Sequence, residues 1–288
     1  MIENMSTVRS FNVPFTGGFR EAYFLHLADN SLILGQRNAE WCGHGPVLEQ
    51  DIAITNISLD LIGQARNFYQ YAASSINQLQ HKASVKASSD EDPAIAMEVT
   101  EDTLAYFRTE REFRNCLLVE LPNGDWAQTV LRQFYFSVYQ FLLYREMQNR
   151  EAGSQHEQLY AIAAKALKEV TYHLRWSSEW VIRLGDGTEE SHDRMQKGVD
   201  QLWPYTGEFF IPAEFEKEAI SAGLGVDPAG LKEQWEERVR SVLSEATMVI
   251  PVGKWMQTGG KQGMHTEHLG YILAEMQYLQ RTYPGSEW

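Results

Sequence analysis

Apolar residues recur at three- and four-residue steps along most of the chain. No period-two alternation bounded by turn signals competes with them, so the pattern predicts helices throughout. Leu25, Ala28, Leu32, Ala39 and Cys42, with Gly35 between, form a narrow packing seam that predicts a helix over 22–42, stopped by Gly43-His44-Gly45. Pro46 then stands at a first-turn position, and the stretch 47–73 is apolar at 47, 48, 52, 54, 57, 59, 61, 62, 65, 68 and 69. So broad a face predicts burial on several sides. A polar stripe nevertheless runs along the same helix at Glu49, Asn56, Asp60, Gln64 and Asn67.

Residues 82–99 are rich in Ala, Ser and charge without strong periodicity and read as a loop insertion. A third helix is expected from about Thr103 to Leu121-Pro122, followed by the turn Asn123-Gly124-Asp125, with Asp125 as N-cap of the next helix. That helix, about 126–150, is intensely aromatic and contains no Asp or Glu from Trp126 through Arg145. Another helix runs over 157–184 and ends on Gly185, and a shorter one covers about 191–205, disturbed at Pro204. Asp227-Pro228 opens a helix to about Met248, and a last helix, 266–281, follows a glycine-rich loop. The fold class read from this pattern is all-α, with a core of long antiparallel helices.

Composition narrows the function classes. The 288 residues are 43% hydrophobic and 12% aromatic, which excludes disordered, collagen-like and disulfide-scaffold proteins. Thirty-nine acidic against 25 basic residues leave a formal charge of -14, which disfavours nucleic acid and anionic membrane surfaces as partners. Cys42 and Cys116 fit neither a zinc pattern nor a disulfide framework and suit a reducing compartment. Met1 to Arg20 hold no signal-peptide core, and no eighteen apolar residues run together, so the chain reads as soluble and cytoplasmic.

A helical bundle with inward acids and histidines raises the di-iron carboxylate possibility. That centre takes a Glu from each of two helices and a Glu-x-x-His pair from each of two others. Three residues before the eight histidines stand Tyr23, Trp41, Gln78, Gly153, Val170, Glu189, Gln262 and His265, and Glu189 belongs to a hydrophilic turn. The nearest approach is Glu169 and His173, at spacing four on one helix face; Glu40 and Asp60 add two carboxylates, and Gln64 follows Asp60 by one turn. Glu40, Asp60, Gln64, Glu169 and His173 are therefore the candidate site, a degenerate di-iron-like polar cluster. The readings weighed are an intact metal centre, a vestigial one filled by hydrogen bonds, and unrelated surface charges. The vestigial reading is preferred because buried acids need partners.

No other motif carries chemistry as far. Thr258-Gly259-Gly260-Lys261 lacks the opening glycine and closing Ser or Thr of a phosphate loop. His265 and His268 are expected to cap a helix or line the surface, and His26 and His156 to lie at the surface or its boundary. The stripe Phe134, Tyr135, Phe136, Tyr139, Phe141 and Tyr144 could hold an apolar ligand, although core or subunit packing is the safer expectation.

Six stretches together carry a resemblance: Gly35 to His44, Leu59 to Phe68, Leu118 to Gly124, Lys168 to Arg175, Thr258 to Gly270 and Ala274 to Arg281. They resemble the C subunits of bacterial phenylacetyl-CoA epoxidases, the multicomponent phenylacetate-CoA oxygenases, from about residue 23 to the C-terminus. The resemblance implies a ferritin-like four-helix bundle core with additional C-terminal helices, as one domain over 21–288 behind an N-terminal extension, 1–20. It implies a structural, non-catalytic subunit, with no catalytic, metal or cofactor residue of its own. The di-iron centre would lie in a homologous catalytic A subunit, with electrons from NADPH through a separate reductase and further small subunits completing the complex. Alone, such a chain is expected to self-associate. The alternatives are an iron-dependent oxygenase with unconventional ligands and a standalone helical binding protein.

Overall fold

The computed structural model describes residues 17–87, 98–150, 156–253, 255–284 and 286. Among them every regular element is helical: α1 (Phe19–Ala39), α2 (Leu48–Ala87), α3 (Glu101–Tyr106), α4 (Leu117–Glu120), α5 (Trp126–Gln148), α6 (Glu157–Gly185), α7 (Glu189–Leu202), α8 (Glu214–Ser221), α9 (Lys232–Glu245) and α10 (Glu267–Thr282).

Hydrogen bonds between helices fix the register of the bundle. Tyr69 reaches back to Asp29 and Ser75 to Glu21, so α2 runs antiparallel to α1. Trp41 meets Thr129, Asn38 meets Gln133 and Gln140 meets Ser31, so α5 is also antiparallel to α1. Asp60 pairs with His173 and Gln64 with Glu169, so α6 runs antiparallel to α2. The long crossover between α2 and α5 gives the ferritin-like four-helix arrangement, and α7 to α10 are additional C-terminal helices, α7 and α9 packing on α5 and α6, α8 on α1, and α10 on α3. Because α1 is covered by α2, α5, α8 and the α4 region, most of its residues are buried, including Asp29, Asn30, Ser31 and Asn38.

The local signals explain most boundaries. Asp125 caps α5 by accepting from the Gln128 amide, and Thr266 caps α10 by accepting from His268. The aromatic side chains of α5 turn into the core: Tyr139 stacks on Phe209 with ring centroids 4.8 Å apart, and Tyr135 and Phe210 close around Trp235. Core packing, not a ligand pocket, accounts for that stripe.

Three expectations change. First, α2 continues to Ala87, because Lys82-Ala-Ser-Val-Lys-Ala87 is rich in good helix formers; the rest of the expected loop insertion, from 88 to 97, lies outside the described residues, as does the extension over 1–16. Second, the single helix expected over 103–121 is broken into α3, a short 3-10 turn at Glu110–Glu112 and α4. The cause is Arg108, whose guanidinium turns inward to Asp29 and Tyr69, lies 4.2 Å from the Phe113 ring centroid, and also donates to the Glu112 carbonyl. Third, the helix expected from Asp227 opens as a 3-10 turn, Pro228–Leu231, before α9, and α8 is an added element.

Candidate functional site

On α6 the inward positions Val170, His173 and Ser177 follow the three- and four-residue steps of one face, and on α2 Ile57, Leu61, Gln64 and Phe68 do the same. The antiparallel register then sets Asp60 opposite His173 and Gln64 opposite Glu169. The His173 ring is fully buried, and its Nε2 lies 3.0 Å from Asp60 Oδ2; the Asp60 side chain is 37% exposed, so this pair leads from the core to the surface. One turn away the Gln64 amide donates to Glu169 Oε2 at 2.9 Å. Farther along α6, Trp176 Nε1 donates to Gln50 at 3.1 Å. Four of the five sequence-picked residues thus form two neighbouring pairs.

Glu40 does not join them. It stands at the C-terminal end of α1, where it accepts from Arg37 at 2.8 Å and Asn123 at 2.9 Å. Its carboxylate ties the turn after α1 to the turn before α5, and the reason is its place beyond the last inward turn of the helix.

The bundle centre also holds residues that spacing of acids and histidines did not reveal. Asn38 donates to Gln133 at 2.7 Å, Gln133 to Ser137 at 2.9 Å, and Gln140 to Ser31 at 3.3 Å and to the Tyr144 hydroxyl at 3.2 Å. Gln133, Ser137, Gln140 and Tyr144 lie at steps of four, three and four on the acid-free helix, which was their only sequence signal. The donor set therefore does not fit a pair of irons. Such a centre needs carboxylates from four helices, whereas at this level α1 and α5 supply amides and hydroxyls, the buried Asp29 of α1 is taken up by Arg108 and Tyr69, the Gln64 NH2 group is turned onto Glu169, and Val170 stands three residues before His173. Among the described residues no three His, Cys, Asp or Glu side chains converge as a metal-binding group.

A second buried network lies on the opposite side of α1, where sequence reasoning had expected surface. Lys261 turns its ammonium inward to Glu216 at 3.0 Å and to the carbonyls of Phe209 and Ile211. His26 is 1% exposed, contrary to the boundary position expected of it; it lies 2.6 Å from the Arg114 carbonyl and 3.7 Å from Glu216. Burial lowers its pKa against the pull of Glu216. The His265 side chain is likewise buried rather than superficial. Its Nδ1 lies 2.7 Å from Glu120, and although burial opposes its charge, that hydrogen bond, the charge of Glu120 and the Phe113 carbonyl raise its pKa. Glu208 accepts from the backbone amides of Leu117, Gly259 and Lys261, while burial pushes its carboxyl above the usual range. His156 does stand at a boundary, at 2.9 Å from the Tyr71 hydroxyl, and His268 is half-buried behind the Thr266 cap.

Residues 20–288 match the model of a family described as phenylacetic acid catabolic protein. The chain belongs to that family. A relative from Escherichia coli (strain K12), the C subunit of 1,2-phenylacetyl-CoA epoxidase, is 47% identical over 268 residues, which cover 93% of this chain and 98% of the relative. Within this family member, the stretches that carried the resemblance also contain part of each network. Leu59 to Phe68 and Lys168 to Arg175 contain Asp60, Gln64, Glu169 and His173; Leu118 to Gly124 and Thr258 to Gly270 contain Glu120, Lys261 and His265. No helix among the described residues is long and apolar enough to cross a membrane.

Proposed function

We propose that the chain is the structural, non-catalytic subunit of a multicomponent phenylacetyl-CoA 1,2-epoxidase, acting in the cytoplasm in aerobic phenylacetate degradation. The observation that carries this reading is the donor set at the bundle centre, where the two carboxylates, Asp60 and Glu169, are taken up by His173 and the Gln64 amide, and α1 and α5 contribute the amides of Asn38 and Gln133. The near full-length similarity to the C subunit of an epoxidase of this kind supports the choice of complex. On this reading the di-iron centre belongs to a homologous catalytic A subunit, NADPH delivers electrons through a separate reductase, and this chain holds no cofactor. Its own residues keep a rigid bundle: Asp60, Gln64, Glu169 and His173 tie α2 to α6, and Asn38 and Gln133 tie α1 to α5. No step of the oxygenation passes through them.

The test uses the purified chain and the reconstituted complex. Loaded anaerobically with ferrous iron and dialysed, the chain should keep far less than one equivalent. Given phenylacetyl-CoA, NADPH, reductase and oxygen it should form no epoxide until the catalytic subunit is added, when turnover and a stable mixed oligomer should appear together. Two tightly held irons per chain, or turnover by this chain alone, would overturn the reading.

A further inference from the structure

Four buried polar atoms at the bundle centre make no hydrogen bond within the protein: Gln64 Oε1, Gln140 Oε1, Asn38 Oδ1 and His173 Nδ1. Their residues are at most 2% exposed, so bulk solvent does not reach them either. Buried acceptors without donors are costly, and four along one bundle axis call for a common cause. The four fall on two levels. Gln140 lies beside Ser31 and Tyr144, and Phe68, one turn on from Gln64, packs against Tyr144 with ring centroids 5.9 Å apart; Ser31, Gln64, Glu169 and Gln140 thus bring α1, α2, α6 and α5 to one level. Asn38 lies beside Gln133, and Gly35, where an added Cβ would come within 3.1 Å of Ile62, sets Asn38 near the level of Asp60 and His173. The same four helices therefore meet a second time, one to two turns along the axis.

Each level repeats one arrangement. A glutamine of α5 donates its NH2 group to a hydroxyl four residues on, Gln140 to Tyr144 at 3.2 Å and Gln133 to Ser137 at 2.9 Å, and each hydroxyl has a hydrogen of its own to give. With them stand two acceptors that receive nothing. At the first level these are the Gln64 and Gln140 oxygens; at the second they are the Asn38 oxygen and the Nδ1 lone pair of a neutral His173, whose Nε2–H points at Asp60. The group that completes such a set must donate hydrogens and also accept them. A cation would serve the oxygens but not the hydroxyl hydrogens, and an anion would be repelled by the acceptors. Water does both, with the two to four polar partners that a buried water needs. We propose that the bundle centre is a water-binding site, in which bound water at each level donates to the orphaned acceptors, accepts from Tyr144 or Ser137, and closes the hydrogen-bond network among the four helices. The Asp60 side chain, 37% exposed and bonded to the buried His173, gives the second level its route of exchange with solvent.

This proposal stands apart from the reading of the chain as an oxygenase subunit, because its test needs only the full purified chain. A crystal structure at a resolution that shows ordered water should place density within about 2.7–3.2 Å of Gln64 Oε1 or Gln140 Oε1, and again of Asn38 Oδ1 or His173 Nδ1. In solution, oxygen-17 relaxation dispersion counts internal water molecules. A chain of 288 residues should hold roughly ten of them in all, so this site is read as a difference between variants. Gln140→Met and Asn38→Leu, which nearly keep the volume and remove an acceptor, should each lower the count by at least one, whereas Met195→Leu, buried on α7 away from the centre, should leave it unchanged. Should the polar variants fail to fold, the wild-type density decides alone. Density missing from either level, a count unchanged by Gln140→Met or Asn38→Leu, or an anomalous rubidium signal on these atoms after soaking crystals in a rubidium salt would each overturn the assignment, the last by showing a cation in place of water.

Discussion

His173 shows what a single buried ring contributes at the bundle centre. His173→Ala removes its hydrogen bond to Asp60 along with packed volume, and leaves the carboxylate without its partner. The expected cost is about 1–3 kcal/mol, seen as a melting temperature lowered by several degrees. A melting curve superimposable on wild type would show that the pair does nothing for the bundle. His265 makes a different prediction because its folded pKa is raised. Stability from such a group is fully present below the unfolded value, near 6.5, and is lost as pH rises through the folded value. The difference in melting temperature between wild type and His265→Gln should therefore shrink as pH climbs from about 6 towards and beyond neutrality. A difference that stays constant with pH would show that the imidazole is not charged in the fold. These two histidines also mark how far a sequence can be read at this scale. Asp60, Gln64, Glu169 and His173 were legible because each lies one helical turn from another member on its own helix. His265 was not, since its partner Glu120 is 145 residues away, and Lys261 was not, since Glu216 is 45 away. Glu40 had the right residue type but lay past the inward turns of α1.

Elements were legible where the chain announces its own ends. Asp125, Thr266 and Gly185 sit at helix ends by local chemistry, and the corresponding helices begin or end within a few residues of the expected places. The stretch 103–121 misled because its helical periodicity was overruled by a long-range contact, Arg108 on Asp29. Two glycines separate local from tertiary control. Gly63 is exposed midway along α2, and a Cβ there would meet nothing within 4 Å. Gly63→Ala should therefore raise the stability of the isolated chain by about 0.5–1 kcal/mol. At Gly260 an added Cβ would come within 2.3 Å of the Asn115 carbonyl oxygen, so Gly260→Ala must displace the loop from α4. Thermal melts of the two variants should move in opposite directions; a loss of stability at position 63 would contradict the open surface described for it.

At the scale of the whole molecule, buried ion pairs lie against α1 at Asp29 and Arg108 and again at Glu216 and Lys261. Glu216 is 2% exposed and faces the Lys261 ammonium, so Lys261→Met leaves a buried carboxylate uncompensated and should cost about 3–5 kcal/mol. Removing both charges in Lys261→Met/Glu216→Leu should recover most of that loss in a denaturant titration, whereas equal destabilisation by the single and double variants would show that packing, not charge, is at stake. The same network sets an order on biosynthesis. Glu120, Glu208 and Glu216 are all made well before the groups that receive them, which arrive with Gly259, Lys261, His265 and Thr266 near the end of the chain. While those last residues are still inside the ribosome, Glu208 has the Leu117 amide, Glu120 has Asn115 and Glu216 has the Ala213 amide, but none has its full set of donors and Glu216 lacks its counter-ion, so the cover over α1 cannot close. A nascent chain stalled before residue 258 is then no partial subunit but an open one, a substrate for chaperones and proteases until its tail is released.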